Sequence, residues 1–82
     1  MRTAFLLLNM VLDYNKLYVE ELWTRPEVKY AYNVHGAYDV VVKVECDSME
    51  AVKDFIVKEI RTNPDLKSSL TMLVVTGFTV AR

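Results

Sequence analysis

The run TAFLLLNMVL (3–12) has the length of a strand and is apolar on both faces. Successive side chains of a strand alternate, so Ala4, Leu6, Leu8 and Met10 point one way and Phe5, Leu7 and Val11 the other. The run SSLTMLVVT (68–76) repeats the pattern, with Leu70, Met72 and Val74 opposite Leu73 and Val75. A sheet built on such strands must be covered on both sides, whereas a sheet with one wet face shows apolar–polar alternation.

Four further segments lie between these runs. YNKLYVEELWT (14–24) places Tyr14, Leu17, Tyr18, Leu22 and Trp23 at helical spacing, with Lys16, Glu20 and Glu21 opposite. Asp13 is a good N-cap for this helix and Pro26 ends it, because the residue before a proline is pushed out of the α region. VKYAYNVH (28–35) alternates Val28, Tyr30, Tyr32 and Val34 against Lys29, Ala31, Asn33 and His35. After Gly36-Ala37-Tyr38, DVVVKVEC (39–46) returns as the second strand of a hairpin. Asp47 and Glu50 have capping-box spacing ahead of a helix over 48–62, whose stripe is Met49, Val52, Phe55, Ile56 and Ile60; Pro64 ends it. Gly77 then leaves a short tail, FTVAR, placed to pair at an edge. The order β-α-β-β-α-β predicts an α+β, ferredoxin-like fold: a four-stranded antiparallel sheet with two helices on one face. The uncovered face exceeds the apolar patch a soluble monomer tolerates. The chain is therefore expected to dimerise through that face, with larger rings built from dimers.

The totals narrow the function. Eighty-two residues form one domain, 1–82, that buries only roughly 60–65% of its unfolded surface, so a covered second face would add to a marginal core. Ten basic and eleven acidic residues leave no cationic surplus to displace counterions from nucleic acid, so direct DNA or RNA binding is not expected. Cys46, the single cysteine, stands in an apolar alternation and reads as a buried, inert thiol in a reducing, cytoplasmic setting. The first apolar run lacks the cleavage site of a signal peptide and is too short to span a membrane.

No catalytic constellation stands out. One histidine, His35, stands at a strand end, where a surface role is commoner than general-base work. No Cys-x-x-Cys pair, glycine-rich phosphate loop or metal-ligand cluster is present, and neither metal nor cofactor is expected. Glu20-Glu21 reads as a solvated helix face, and Trp23 as packing over the helix end. Tyr30 and Tyr32 could serve as stacking residues of an RNA-binding sheet, but the charge balance and the run VVVKVEC favour sheet or interface packing.

From Gly36-Ala37-Tyr38-Asp39 onward the chain resembles the effector-binding (RAM) domain of the Lrp/AsnC, or feast/famine, transcription regulators. The resemblance rests on Pro26-Glu27-Val28, the G-x-Y-D turn, Lys43-Val44-Glu45, Pro64-Asp65-Leu66 and Thr71, and covers nearly all 82 residues. It departs from the family in beginning at the first strand, without the helix-turn-helix, and in carrying Ala37 where a polar or acidic residue is usual. The resemblance implies a stand-alone, non-enzymatic module that binds an amino-acid effector between neighbouring dimers and modulates full-length family regulators. On this reading the turn amides beside Gly36, Ala37 and Tyr38 face a carboxylate, and Asp39 takes an ammonium. Ser69 and Thr71 offer hydroxyls, while Tyr32 and Met72 line a side-chain pocket. Asp39 could equally fix the hairpin through an Asx-type turn. Two alternatives share the element order. One is a small dimeric enzyme of the cofactor-free monooxygenase or isomerase type, which needs a pocket lined by His35, Tyr or Trp. The other is an ACT-type amino-acid-binding domain, which typically carries a glycine in the loop occupied here by LDYN.

Overall fold

A computed structural model describes residues 2–12 and 15–75. Within them, β1 (Arg2–Met10), α1 (Lys16–Trp23), β2 (Val28–Asn33), β3 (Val40–Cys46), α2 (Met49–Phe55) and β4 (Leu66–Leu73) follow in order, with a π-helical turn, Ile56–Ile60, extending α2. The strands form one antiparallel sheet in the order β2-β3-β1-β4. This is the ferredoxin-like plan expected from the sequence. The Asp13 cap, Tyr14 and the tail from Thr76 onward lie outside the described residues.

The two central strands meet on the helix side. Ala4, Leu6 and Leu8 of β1 pair with Val44, Val42 and Val40 of β3, and all six are at most 1% exposed. Strict alternation makes this possible: every second residue of both strands is aliphatic, so the register that pairs them buries a continuous aliphatic row. Val52, Phe55, Ile56 and Ile60 cover this row from α2 and its π turn, and Leu22 covers it from α1. Cys46 is buried at the end of β3, where burial raises its thiol pKa, with Glu27 and Asp47 adding to the rise. The thiol therefore stays protonated at neutral pH and is a poor nucleophile.

Four expectations are corrected. In α1 the inward residues are Leu22, with Tyr18 and Val19 partly buried, whereas Leu17 and Trp23 are 80% and 62% exposed. Spacing alone admits either stripe, and packing against β2 selects the one through Val19 and Leu22. The cap of α2 is Ser48, whose hydroxyl accepts the Ala51 amide at 3.1 Å, instead of Asp47. The alternation of β2 breaks at a bulge between Val28 and Tyr30, opposite Val44 and Lys43. Val28 and Ala31 consequently turn toward the helices, and Tyr30 and Tyr32 toward the open face. Finally, α2 packs over β3 and β1, leaving β4 bare. From Lys67 to Leu73 every residue of β4 is exposed, on the helix side (Ser69, Thr71, Leu73) as on the open side (Leu70, Met72). Polar Ser69 and Thr71 suit that uncovered flank.

Core and surface should separate cleanly in denaturation. Leu8→Ala is expected to cost about 3–5 kcal/mol because it empties a fully buried site. Leu17→Ala should change stability by no more than about 0.5 kcal/mol, since the side chain is mostly in solvent. Urea midpoints of the two variants at constant slope check this assignment of the α1 face.

Candidate functional site

The turn between β2 and β3 spans residues 34–39 and closes one end of the sheet. Asp39 is bonded into that end three ways. Its amide donates to the Leu8 carbonyl (2.9 Å), its carbonyl accepts the Val34 amide (2.8 Å), and its Oδ2 accepts the Met10 amide (2.7 Å). The last is charge-assisted and holds the end of β1 just where its ladder with β3 stops. Both readings left open for Asp39 thus meet in one side chain: Oδ2 fixes the sheet end, and among the described residues no hydrogen bond engages Oδ1. The amides of His35, Gly36, Ala37 and Tyr38 likewise donate to no described group, and residues 35–37 are exposed.

Two other connections reach the same end. Asn15, the one buried polar residue among those described, donates its amide to Asn33 Oδ1 (2.9 Å) and its side-chain nitrogen to the Leu12 carbonyl (2.9 Å). It thereby ties the start of α1 to the last residue of β2. Val11 donates to the Asp65 carbonyl at 2.7 Å, drawing in the start of β4. Sequence reasoning missed the Asn15–Asn33 pair. An asparagine inside each of two segments of different periodicity was the only trace of it.

The eight residues proposed from the sequence fall into three places. Gly36, Ala37, Tyr38 and Asp39 form the turn. Ser69 and Thr71 lie on the helix-side flank of β4, paired with Leu8 and Leu6. Tyr32 and Met72 lie on the open face, paired with Val41 and Phe5. β1 runs between the turn and β4, so Asp39 and Ser69 are separated by two strand spacings, about 10 Å. Within one chain, then, the structure gathers the turn, with Tyr32 two residues before the Val34 that bonds Asp39, but leaves Ser69, Thr71 and Met72 across β1 from it.

A protein-family model described as the Lrp/AsnC ligand binding domain matches residues 3–78. The chain belongs to the Lrp/AsnC ligand-binding domain family. It is similar to FFRP-DM1, at 39% identity over 92% of this chain and 100% of that chain (TM-score 0.84). It is similar also to the hypothetical protein PHS023 from Pyrococcus horikoshii, at 38% identity over 94% and 93% of the two chains (TM-score 0.85). More distantly, it shares its fold with the transcriptional regulator NMB0573 of Neisseria meningitidis, solved as an L-Met complex. That likeness is 13% identity over 96% of this chain and 53% of that one (TM-score 0.80). Comparison with curated proteins finds no match.

Three clefts of this Lrp/AsnC domain lie among described residues away from the turn. One of about 520 Å³ is lined by Leu12, Asn15, Leu17, Tyr18, Asn63 and Asp65 among others, between α1 and the chain leading to β4. A second, of about 240 Å³, shares Tyr18, Glu21 and Asn63 with it. A third, of about 260 Å³, is lined by Glu27, Glu45, Asp47 and Cys46 beside Pro26 and Ala51. Of the residues the enzyme reading called for, Tyr18 lines two of these clefts, while His35 and Trp23 line none of the three. Among the described residues no cluster of three His, Cys, Asp or Glu could hold a metal ion, and no helix is long and apolar enough to cross a membrane.

Tyr18, between the first two clefts, buries its hydroxyl with no hydrogen-bond partner among the described residues. Burial pushes its phenol pKa above the ordinary 10.0, and the carboxylates of Glu21 and Glu59 add to the rise; the Asn63 side chain pulls the other way. The hydroxyl is shut from solvent while the residue lines both clefts, beside Asn63.

Two experiments follow from this geometry. Gly36 has no positive φ and an added Cβ would meet nothing within 4 Å, so Gly36→Ala should leave stability unchanged or raise it by about 0.4–1 kcal/mol. Asp39→Ala should cost about 1–3 kcal/mol by orphaning the Met10 amide. Chemical denaturation of the pair separates the two ends of the turn. For Tyr18, the raised pKa means its neutral form contributes fully below pH 10.0 and that contribution is lost as pH rises through the folded-state value. Tyr18→Phe should raise stability by about 1–2 kcal/mol near neutral pH and flatten the loss above pH 10, as read by melting temperature against pH.

Proposed function

We propose that this chain is a single effector-binding and assembly module, spanning 1–82, that binds a small amino acid and modulates transcription regulators of its family without itself contacting DNA. The observation that carries the proposal is the state of the 34–39 turn. Three bonds through Asp39 hold it rigid, yet it leaves four amides, three of them in exposed residues, and one carboxylate oxygen with no partner among the described residues. Donors for a carboxylate beside an acceptor for an ammonium are what a zwitterion requires. The L-Met complex of NMB0573, a regulator of the same fold, supports this ligand class.

The placement of the remaining residues favours a shared site. Ser69 and Thr71 stand on a flank of β4 that no helix covers, out of reach of their own turn. The turn of one copy and the β4 flank of a neighbour can complete a pocket that a lone chain does not form. The open face supports assembly in the same way. Phe5, Tyr30 and Tyr32 stack across it, with ring centroids 6.3 and 5.0 Å apart, beside exposed Leu70 and Met72. Covering so large an apolar surface with a second sheet is the favourable outcome at roughly 25 cal/mol per Å2. On this reading the chain is a homodimer at least, Tyr32 and Met72 belong to the dimer interface, and cofactors and membranes play no part.

A thermal-shift screen against the twenty amino acids tests the proposal, with Asp39→Asn as the control. Asparagine keeps an oxygen for the Met10 amide and removes the charge, so the unliganded melting temperature should stay within a few degrees. At least one amino acid is expected to raise the wild-type melting temperature and to leave the variant unmoved. A wild type unmoved by all twenty, or a variant that responds equally, overturns the amino-acid reading.

A further inference from the structure

The open face of the sheet is polar at Thr3 and at the hydrogen-bonded Asn9–Ser68 pair, and its otherwise apolar middle holds one charged side chain. Lys43, on central strand β3, stands in the cross-strand row Tyr30–Lys43–Phe5–Met72. Its ammonium lies 6.0 Å from the centre of the Phe5 ring and 3.7 Å from Glu45 Oε2, two residues along on the same face. Both side chains are already largely buried, at 31% and 23% exposed. The stem of Lys43 thus covers Phe5 while its head, with three donors, meets a single carboxylate.

This pair restricts what can cover the face. A purely apolar cover would strip the remaining water from both charges and return nothing. A partner carrying the opposite charges at the matching places avoids that cost. A second copy of this chain does so by symmetry. In a two-fold, face-to-face arrangement a Lys43 that meets Glu45 of the partner subunit obliges its own Glu45 to meet the partner subunit's Lys43. Stacked sheets lie about 10 Å apart, a gap that a lysine and a glutamate reaching from opposite sides can bridge.

We infer that Lys43 and Glu45 determine which chains can dimerise through this face: the pair selects a second copy, or a chain with the same lysine-x-glutamate, and rejects one that places like charge there. The inference rests on the face-to-face assembly proposed above and adds to it a rule for choice of partner, with the two-fold axis beside residues 43–45 of β3. Charge pairs at interfaces act in this manner, excluding wrong partners more than they raise affinity for the right one.

The test exchanges the charges within one chain. The double variant Lys43→Glu, Glu45→Lys should still self-associate, because its two copies remain complementary. Mixed with wild type carrying a different tag, it should form hybrid dimers at least tenfold less than random mixing gives, as counted by native mass spectrometry. In a second arm, the single variants Lys43→Glu and Glu45→Lys should each bind themselves at least tenfold more weakly than wild type, and dimerise with one another when mixed. Circular dichroism confirms that each variant is folded, and the single-variant arm decides if the double variant is not. Random hybrid formation, or single variants that self-associate as wild type does, overturns the partner rule while leaving the dimer intact. A wild type that sediments as a monomer overturns the assembly reading itself.

Discussion

Everything in this domain hangs on the pairing of β1 with β3. Ala4, Leu6 and Leu8 against Val44, Val42 and Val40 form an aliphatic layer that is essentially dry; α2 is placed by what it must cover on it, and α1 packs beside it on β2. A slip of one residue between the two strands would turn one strand's three toward the open face and put Phe5 and Leu7, or Val41 and Lys43, under the helices. Lysine cannot be accommodated there, so a charged residue on the outward set enforces the register that the aliphatic residues favour. The β4 pairing follows from the same strand, since β1 presents its other edge to Leu66–Leu73.

At one end of that layer the ladder between β1 and β3 runs out, and three connections are held there by polar bonds instead of apolar contact. Asp39 takes the Met10 amide, Asn33 takes the Asn15 amide, and the Asp65 carbonyl takes the Val11 amide. Each satisfies a backbone donor that would otherwise be stranded at the margin of the sheet. The consequence is a 34–39 turn fixed at its base and open at its tip. A binding loop is well served by that combination, because little ordering remains to be done when a ligand arrives.

The two faces of the sheet carry different consequences. On the helix side the cover stops short of β4, and the exposed flank is correspondingly polar in Ser69 and Thr71. On the open side the aromatic and aliphatic surface has a charged pair at its centre. One surface suits a small polar ligand shared with a neighbour; the other suits a partner that answers two opposite charges. On the proposed reading both places call for a neighbour, and occupancy of a small site would then be linked to assembly.

Four strands, two helices and their order could be read from the chain alone, because they depend on local periodicity, prolines and turn residues that act within a few positions. The resemblance carried by Gly36-Ala37-Tyr38-Asp39 and the two proline signals located the turn as well. Other features needed the tertiary structure. Spacing in α1 put Leu17 and Trp23 on one apolar stripe with Tyr18 and Leu22, and only contact with β2 kept Leu22 inward while leaving Leu17 and Trp23 in solvent. The bulge after Val28 reversed the faces of Tyr30 and Tyr32, since one unpaired residue shifts a period of two. That Asp39 reaches an amide 29 positions away, and that Ser69 and Thr71 stand across β1 from it, depends on which strands become neighbours. The sequence by itself determined the elements and their two apolar faces; only long-range packing decided which side chains share a site.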